Sequence, residues 1–198
     1  MKLNVPFYAQ ESKLSCGPTA LKMVLSFFNK NYSMKLLEEK TGIKKGKGIL
    51  SIQIAIASSS LGFKTKFISK SLAFNEENLK LDYYKNYFDF SESSEKLLEK
   101  AVSNNVQLLE KSISQNELLD YLTEKSIPIV LINWKKLANQ DDYSGHFVPV
   151  VGYDSEYIYI HNPGPINPKA FLPVKKDIFE EARKSKGTDE DIIVISKD

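Results

Sequence analysis

Apolar residues recur every three or four positions at Ala20, Leu21, Val24, Leu25 and Phe28, and this period predicts an amphipathic helix over Gly17 to Asn29. Pro18 suits its first turn, where its missing N–H would have had no intrahelical partner, and Ser15 is placed as the N-cap. A shorter helix is expected over Ser33 to Lys40, stopped near Thr41-Gly42, where glycine takes the left-handed conformation. Ile49 to Leu61 repeats the helical period and closes at Gly62. The period then changes: Phe63, Thr65 and Phe67 alternate with Lys64 and Lys66, as in a half-buried strand over Phe63 to Ile68. Upstream of all this, Leu3 to Ala9 reads as extended, with Pro6 confining it to an edge or a strand start.

The second half is richer in strand signals. Ser114 and Glu117 form a capping-box pair opening a helix through Leu118, Leu119, Tyr121 and Leu122. Ile127 to Ile132 is a continuous apolar run, the mark of a strand buried on both faces. A polar loop follows over Lys135 to Ser144. His146 to Tyr153 and Tyr157 to Asn162 are two strands separated by Asp154-Ser155-Glu156, which predicts a hairpin. A turn centred near residue 154 sets His146 across from Asn162, while His161 points the opposite way. Between these halves, residues 74–112 carry an aromatic cluster from Tyr83 to Phe90 and a charged helical pattern through Leu97, Leu98, Ala101 and Val102. Packing into the core is preferred for these aromatics over a substrate platform.

Composition narrows the classes of function. With 198 residues, 42% of them hydrophobic, the chain can bury one sizeable core, and a single domain over residues 1–198 is the simplest expectation. Its 27 basic and 25 acidic residues are interspersed, so no patch for nucleic acid stands out. Gly46-Lys47-Gly48 lacks the length and the Ser/Thr of a phosphate-binding loop. The most apolar windows, Ile49 to Ala57 and Ile127 to Ile132, fall short of the roughly 20 residues that span a bilayer. One cysteine forms no internal disulfide, and the start resembles no signal peptide, so a reducing cytoplasmic setting is expected.

That cysteine is the chemically informative residue. A lone Cys is ordinarily a small buried hydrophobe. Cys16, however, stands at a helix entrance, where the dipole and unpaired N–H groups favour the thiolate. Gln10, six residues upstream, offers a side-chain amide for an oxyanion hole. His146 supplies an imidazole, and Asn162 can hold that ring through its other nitrogen. One Cys and two His facing opposite ways do not make a compact metal-ligand set, and no cofactor motif is present, so neither a metal nor a cofactor is expected.

Gln10, the Cys16-Gly17-Pro18 tripeptide, the run from Gly145 to Tyr153 and the Tyr-Ile-Tyr-Ile-His-Asn-Pro continuation together resemble the papain-like cysteine peptidases of the bacteriocin-processing type and their stand-alone relatives. The match is close over the first 30 residues and about 125 to 165. It implies an α+β papain-like fold, in which a helical part carrying the Cys packs on an antiparallel sheet carrying the His and Asn. It also implies that Cys16 is the nucleophile, His146 the base, Asn162 the orienting residue and Gln10 the oxyanion residue of a peptidase acting on a peptide or protein substrate. The family usually carries Asp where this chain has Asn162, and the stretch at about 74–112 looks like an insertion or lid. A peptide-binding module without turnover and an acyltransferase working through the same thioester are the alternatives.

Overall fold

The computed structural model describes residues 1–197. Three helices come first, α1 (Cys16–Phe27), α2 (Met34–Thr41) and α3 (Ser51–Ser60), followed by β1 (Lys64–Ser69). The middle holds α4 (Glu76–Leu79), α5 (Asp82–Tyr87), α6 (Ser94–Ser103), β2 (Gln107–Glu110) and α7 (Gln115–Asp120). Then come β3 (Ser126–Asn133), a 3-10 turn (Trp134–Ala138), β4 (Gly145–Tyr153), β5 (Tyr157–Asn162), β6 (Lys169–Lys175), α8 (Lys176–Lys184) and β7 (Ile192–Ser196). This is the expected α+β arrangement.

Local chemistry accounts for most of these boundaries. The Leu36 N–H donates to Ser33 Oγ at 3.2 Å to cap α2, and Gly42, at φ 67°, ends it. At α7 the capping box is complete: Glu117 N–H donates to Ser114 Oγ, and Ser114 N–H donates to Glu117 Oε2 at 2.8 Å. The expected cap on α1 is absent. Ser15 Oγ turns back instead, donating to Ser12 O at 3.0 Å and accepting the Ser12 N–H at 3.1 Å. Ser15 therefore closes the loop before the helix and leaves the first N–H groups of α1 without a side-chain cap.

Among the described residues seven strands form one sheet in the order β2-β1-β7-β3-β4-β5-β6, and of these only β1 and β2 run parallel. The C-terminal strand β7 thus threads between β1 and β3, closing the core with residues far apart in sequence. Helix α1 packs on β4, α3 on β1 and β7, and α8 on β3. Every residue from Ile127 to Asn133 is buried, as the continuous apolar run predicts for a strand covered on both faces.

The hairpin forms, with Asp154 Oδ1 accepting the Glu156 and Tyr157 N–H groups in its turn. Its register differs from the expected one. Tyr153 pairs with Ile158 and Val150 with Ile160, with an irregularity between Val150 and Gly152. Continued two residues, this ladder sets Asn162 across from Val148, so His146 is a diagonal neighbour on the same face. The N-terminus crosses at the irregular point: Leu3 N–H donates to Val151 O at 2.8 Å and Tyr153 N–H to Met1 O at 2.8 Å. A Cβ on Gly152 would lie 2.7 Å from Met1 O and 3.0 Å from Lys2 Cα. Gly152→Ala is therefore expected to destabilise the fold by about 1–3 kcal/mol in urea denaturation, and an unchanged midpoint would contradict this packing.

Candidate active site

Cys16 is the first residue of α1 and is 8% exposed. Burial pushes its thiol pKa up, while hydrogen bonds from the backbone of Phe147, Gly17 and Cys16 itself pull the other way. Phe147, which follows His146, lines the same cavity as Cys16. Burial wins, so the thiol is protonated at rest. The thiolate expected at a helix entrance is not the resting state, because the dipole's pull is smaller than the cost of desolvating a charge.

His146 is buried, and its Nε2 meets Asn162 Oδ1 at 2.9 Å. The rest of the network settles which atom donates. Asn162 Nδ2 donates to Asn167 O at 2.8 Å and more weakly to Ile166 O, and Asn162 Oδ1 also accepts the Gly164 N–H at 3.0 Å. Asn162 Oδ1 is therefore an acceptor only, and His146 must carry its proton on Nε2. Nδ1 is left as the bare, basic nitrogen. The Trp134 ring stands edge-on to the imidazole at 4.9 Å, and burial lowers the His146 pKa to about 4 against the raising effect of Asn162. At neutral pH both Cys16 and His146 are uncharged.

Gln10 is tied to the turn after Asn162, since its N–H donates to Pro163 O at 2.9 Å. Its side-chain amide is spoken for: Nε2 donates to Ser12 O at 2.7 Å and Lys13 O at 3.1 Å, and Oε1 is buried without a partner. In this resting state the amide hydrogens hold the loop that leads into α1. His161 faces away as expected. Phe171 N–H donates to its Nδ1 at 3.1 Å, its Nε2 reaches Val5 O at 2.8 Å, and the rings of Phe7 and Phe171 flank it. Both nitrogens are used in tying the N-terminal segment to β5 and β6, a structural task. Among the described residues no group of three or more His, Cys, Asp or Glu is placed to hold a metal ion.

Sequence reasoning missed several contributors. Asn133 Oδ1 accepts the Lys135 and Ser144 N–H groups, clamping the loop that delivers His146. Tyr83, from the aromatic cluster, donates to Gly145 O at 2.8 Å, and its phenol pKa is pushed far up by burial and then by nearby Cys16. The cluster was legible as apolar mass, but nothing in it announced that α5 folds back over the cysteine.

The family model described as guanylylate cyclase matches residues 5–195, nearly the whole chain. The chain belongs to the guanylylate cyclase family. This family member is 23% identical to Guanylyl cyclase 1 of Arabidopsis thaliana over 210 residues, covering 98% of this chain and 76% of that protein. Its similarity to solved structures runs elsewhere. The peptidase domain of Streptococcus ComA, a bi-functional ABC transporter of a quorum-sensing pathway, aligns with a TM-score of 0.59 at 19% identity, covering 98% of this chain and all of that one (100%). A C39-like peptidase from Bacillus anthracis aligns at 0.56 and 19% identity, over 100% of this chain and 98% of that one. A double-glycine motif protease from an AMS/PCAT transporter, solved with its leader peptide, aligns at 0.54 and 17% identity, over 99% and 94% of the two chains. This guanylylate cyclase family member thus has the fold of double-glycine peptidase domains, as the sequence resemblance implies. No helix among the described residues is long and apolar enough to cross a membrane.

Two outcomes follow from the protonation states. Alkylation of Cys16 by iodoacetamide should rise about tenfold per pH unit between pH 6 and 9, because only the scarce thiolate reacts. A rate flat from pH 5 to 8 would reveal a thiolate–imidazolium pair instead. His146 titrates at about 4 when folded and 6.5 when unfolded, so its contribution to stability is present above pH 6.5 and is lost as pH falls toward 4. The stability difference between the parent and His146→Gln should therefore shift against the parent by roughly 3 kcal/mol from pH 7 to pH 4 in urea denaturation. A constant difference would contradict the buried neutral imidazole.

Proposed function

We propose that this chain is a cysteine-dependent amide hydrolase, a peptidase that cuts a peptide bond through a Cys16 thioester. The observation that carries the reading is the His146 imidazole, pinned by Asn162 with its bare Nδ1 available, on the strand whose following residue, Phe147, lies by the buried Cys16 thiol at a helix N-terminus. Support also comes from the fold shared with peptidase domains, one of which was solved with a leader peptide.

In the proposed cycle the thiol is deprotonated only when a carbonyl carbon is in reach. His146 Nδ1 takes the thiol proton as sulfur attacks, which spares the enzyme a charged buried pair at rest. The tetrahedral oxyanion lies at the N-terminus of α1, near the N–H groups of Cys16 and Gly17. Gln10 joins them once its bonds to Ser12 and Lys13 are exchanged for one to the oxyanion. The His146 imidazolium then gives its proton to the departing amine, leaving the thioester. A water loses a proton to His146, attacks the thioester and releases the acid, returning the proton to sulfur. Asn162 keeps Nε2 protonated throughout, so Nδ1 is always the working nitrogen. We take the chain as one domain, with residues 74–90 of the stretch at 74–112 lining the cavity beside Cys16, and a free cysteine of this kind suits the reducing cytoplasm.

The family match favours a second reading, conversion of GTP to a cyclic nucleotide. Two assays separate the readings. Incubated with a complex peptide library, the parent should create new termini detectable by mass spectrometry; Cys16→Ala should abolish them and His146→Ala slow them about 10²–10⁴-fold. Cleavage that persists undiminished in Cys16→Ala would sink the peptidase proposal. Cyclic GMP formation from GTP, indifferent to Cys16→Ala and unaccompanied by peptide cleavage, would favour the second reading.

A further inference from the structure

A cavity opens beside Cys16, and what it holds bears on substrate choice if Cys16 is the nucleophile proposed above. It leaves about 70 Å³ for the centres of water-sized molecules, several times the roughly 10–15 Å³ that one water needs. Phe74, Tyr83, Tyr84, Phe88 and Phe90, from the stretch at 74–112, form much of its aromatic wall, with Phe67, Tyr143 and Phe147 completing it. Polar side chains interrupt the apolar lining, among them Asp191, Ser51, Asp189, Asn75, Asn78 and Ser71; Asp191 Oδ1 and Ser51 Oγ are buried and make no hydrogen bond of good geometry, while the Ser51 and Ser69 hydroxyls lie near enough to the Asp191 carboxyl to lower its pKa. Buried oxygens short of donors are costly and rare, and a buried carboxyl supported only by nearby hydroxyls favours a further donor.

The sheet sets the distance. Cys16 and Phe147 line the cavity together, Phe147 pairs with Leu131, and Leu131 N–H donates to Asp191 O at 3.1 Å. Asp191 is thus two strand spacings from Phe147, roughly 10 Å away. A long side chain entering beside the sulfur spans most of that gap. We infer that this cavity is a specificity pocket for a basic side chain, its apolar stem lying along the aromatic wall and its ammonium or guanidinium group meeting Asp191 and Ser51. Aromatic faces and a carboxylate are the two surroundings that favour a cation on an apolar stem, and the neutral Ser51 oxygen accepts a further N–H.

The charge environment suits a cationic side chain. Burial pushes Asp191 up to about 7, and Asp189 adds to this, while Ser51 and Ser69 pull the other way. Asp189 is itself partly satisfied by the side-chain amides of Asn75 and Asn78. The other titratable groups around Asp191 are Tyr84 and Tyr143, both raised, with Tyr83 and Cys16 across the cavity, also raised. None of these supplies a positive charge; the nearby cation, Lys70, acts on Asp189.

The test compares two alkylating probes, N-(5-aminopentyl)chloroacetamide and N-pentylchloroacetamide, with rates at Cys16 read by intact-protein mass and normalised to glutathione. At about pH 8 the amine should react at least about tenfold faster, and Asp191→Asn should bring the ratio near one while leaving the pentyl rate within about twofold. If Asp191→Asn does not fold, the parent decides: its ratio should fall toward one near pH 5.5, where Asp191 is protonated. A ratio near one in the parent, a preference that survives Asp191→Asn or low pH, or failure of both probes to reach Cys16 would overturn the pocket. Peptide hydrolysis without the probe preference sinks the pocket alone, and the preference without hydrolysis sinks the peptidase reading alone.

Discussion

The site depends on one buried hydrogen bond, from His146 Nε2 to Asn162 Oδ1 at 2.9 Å. Its direction is not free. Asn162 has its amide hydrogens on the carbonyls of the 166–167 turn and its oxygen under the Gly164 N–H, so it presents only an acceptor to the ring. A bond formed away from water, with each partner's alternatives already used, holds an imidazole in one tautomer without any charge. The elements around it serve that bond. The β4–β5 hairpin brings the two residues onto one face, the Asn133 clamp delivers His146, and α1 presents Cys16 to the backbone beside it.

The neutral partner fits the neutral site. Both Cys16 and His146 are buried, and burial opposes charge on each. A carboxylate at position 162 would add an ion to a place that desolvates ions, at a cost that only a paired imidazolium offsets. Asn162 avoids that cost and gives up the stabilisation of an imidazolium at rest. In the proposed cycle charge appears only when substrate arrives, which moves the burden of catalysis onto the positioning of the carbonyl.

Much of this was legible in the sequence because it rests on local signals. The Ser114–Glu117 box, the Gly42 stop, the buried Ile127 to Ile132 run and the Asp154 turn each act within a few residues, and each stands where the pattern put it. The neighbourhood of His146 and Asn162 was also foreseeable, but the register was not, since its irregularity lies where the N-terminal segment crosses at Gly152, more than 140 residues away in the chain. The thiol's state was misjudged for a related reason: helix dipoles are visible in a sequence, whereas the depth of burial at Cys16 depends on how the whole chain folds over it. The role of Tyr83 and the buried oxygens of Asp191 and Ser51 likewise come from segments that meet only in three dimensions. Membership of the guanylylate cyclase family combined with a double-glycine peptidase fold makes the point once more, because a fold narrows chemistry only through the residues set on it.

The central claim is the pinned, uncharged imidazole, and long-range ¹H–¹⁵N correlation spectra of the His146 ring test it most directly. At pH 7 the account predicts a single neutral tautomer protonated at Nε2, with Nδ1 showing the shift of a bare nitrogen, and loss of that single state in Asn162→Ala. An imidazolium at pH 7, or a ring protonated at Nδ1, would contradict it.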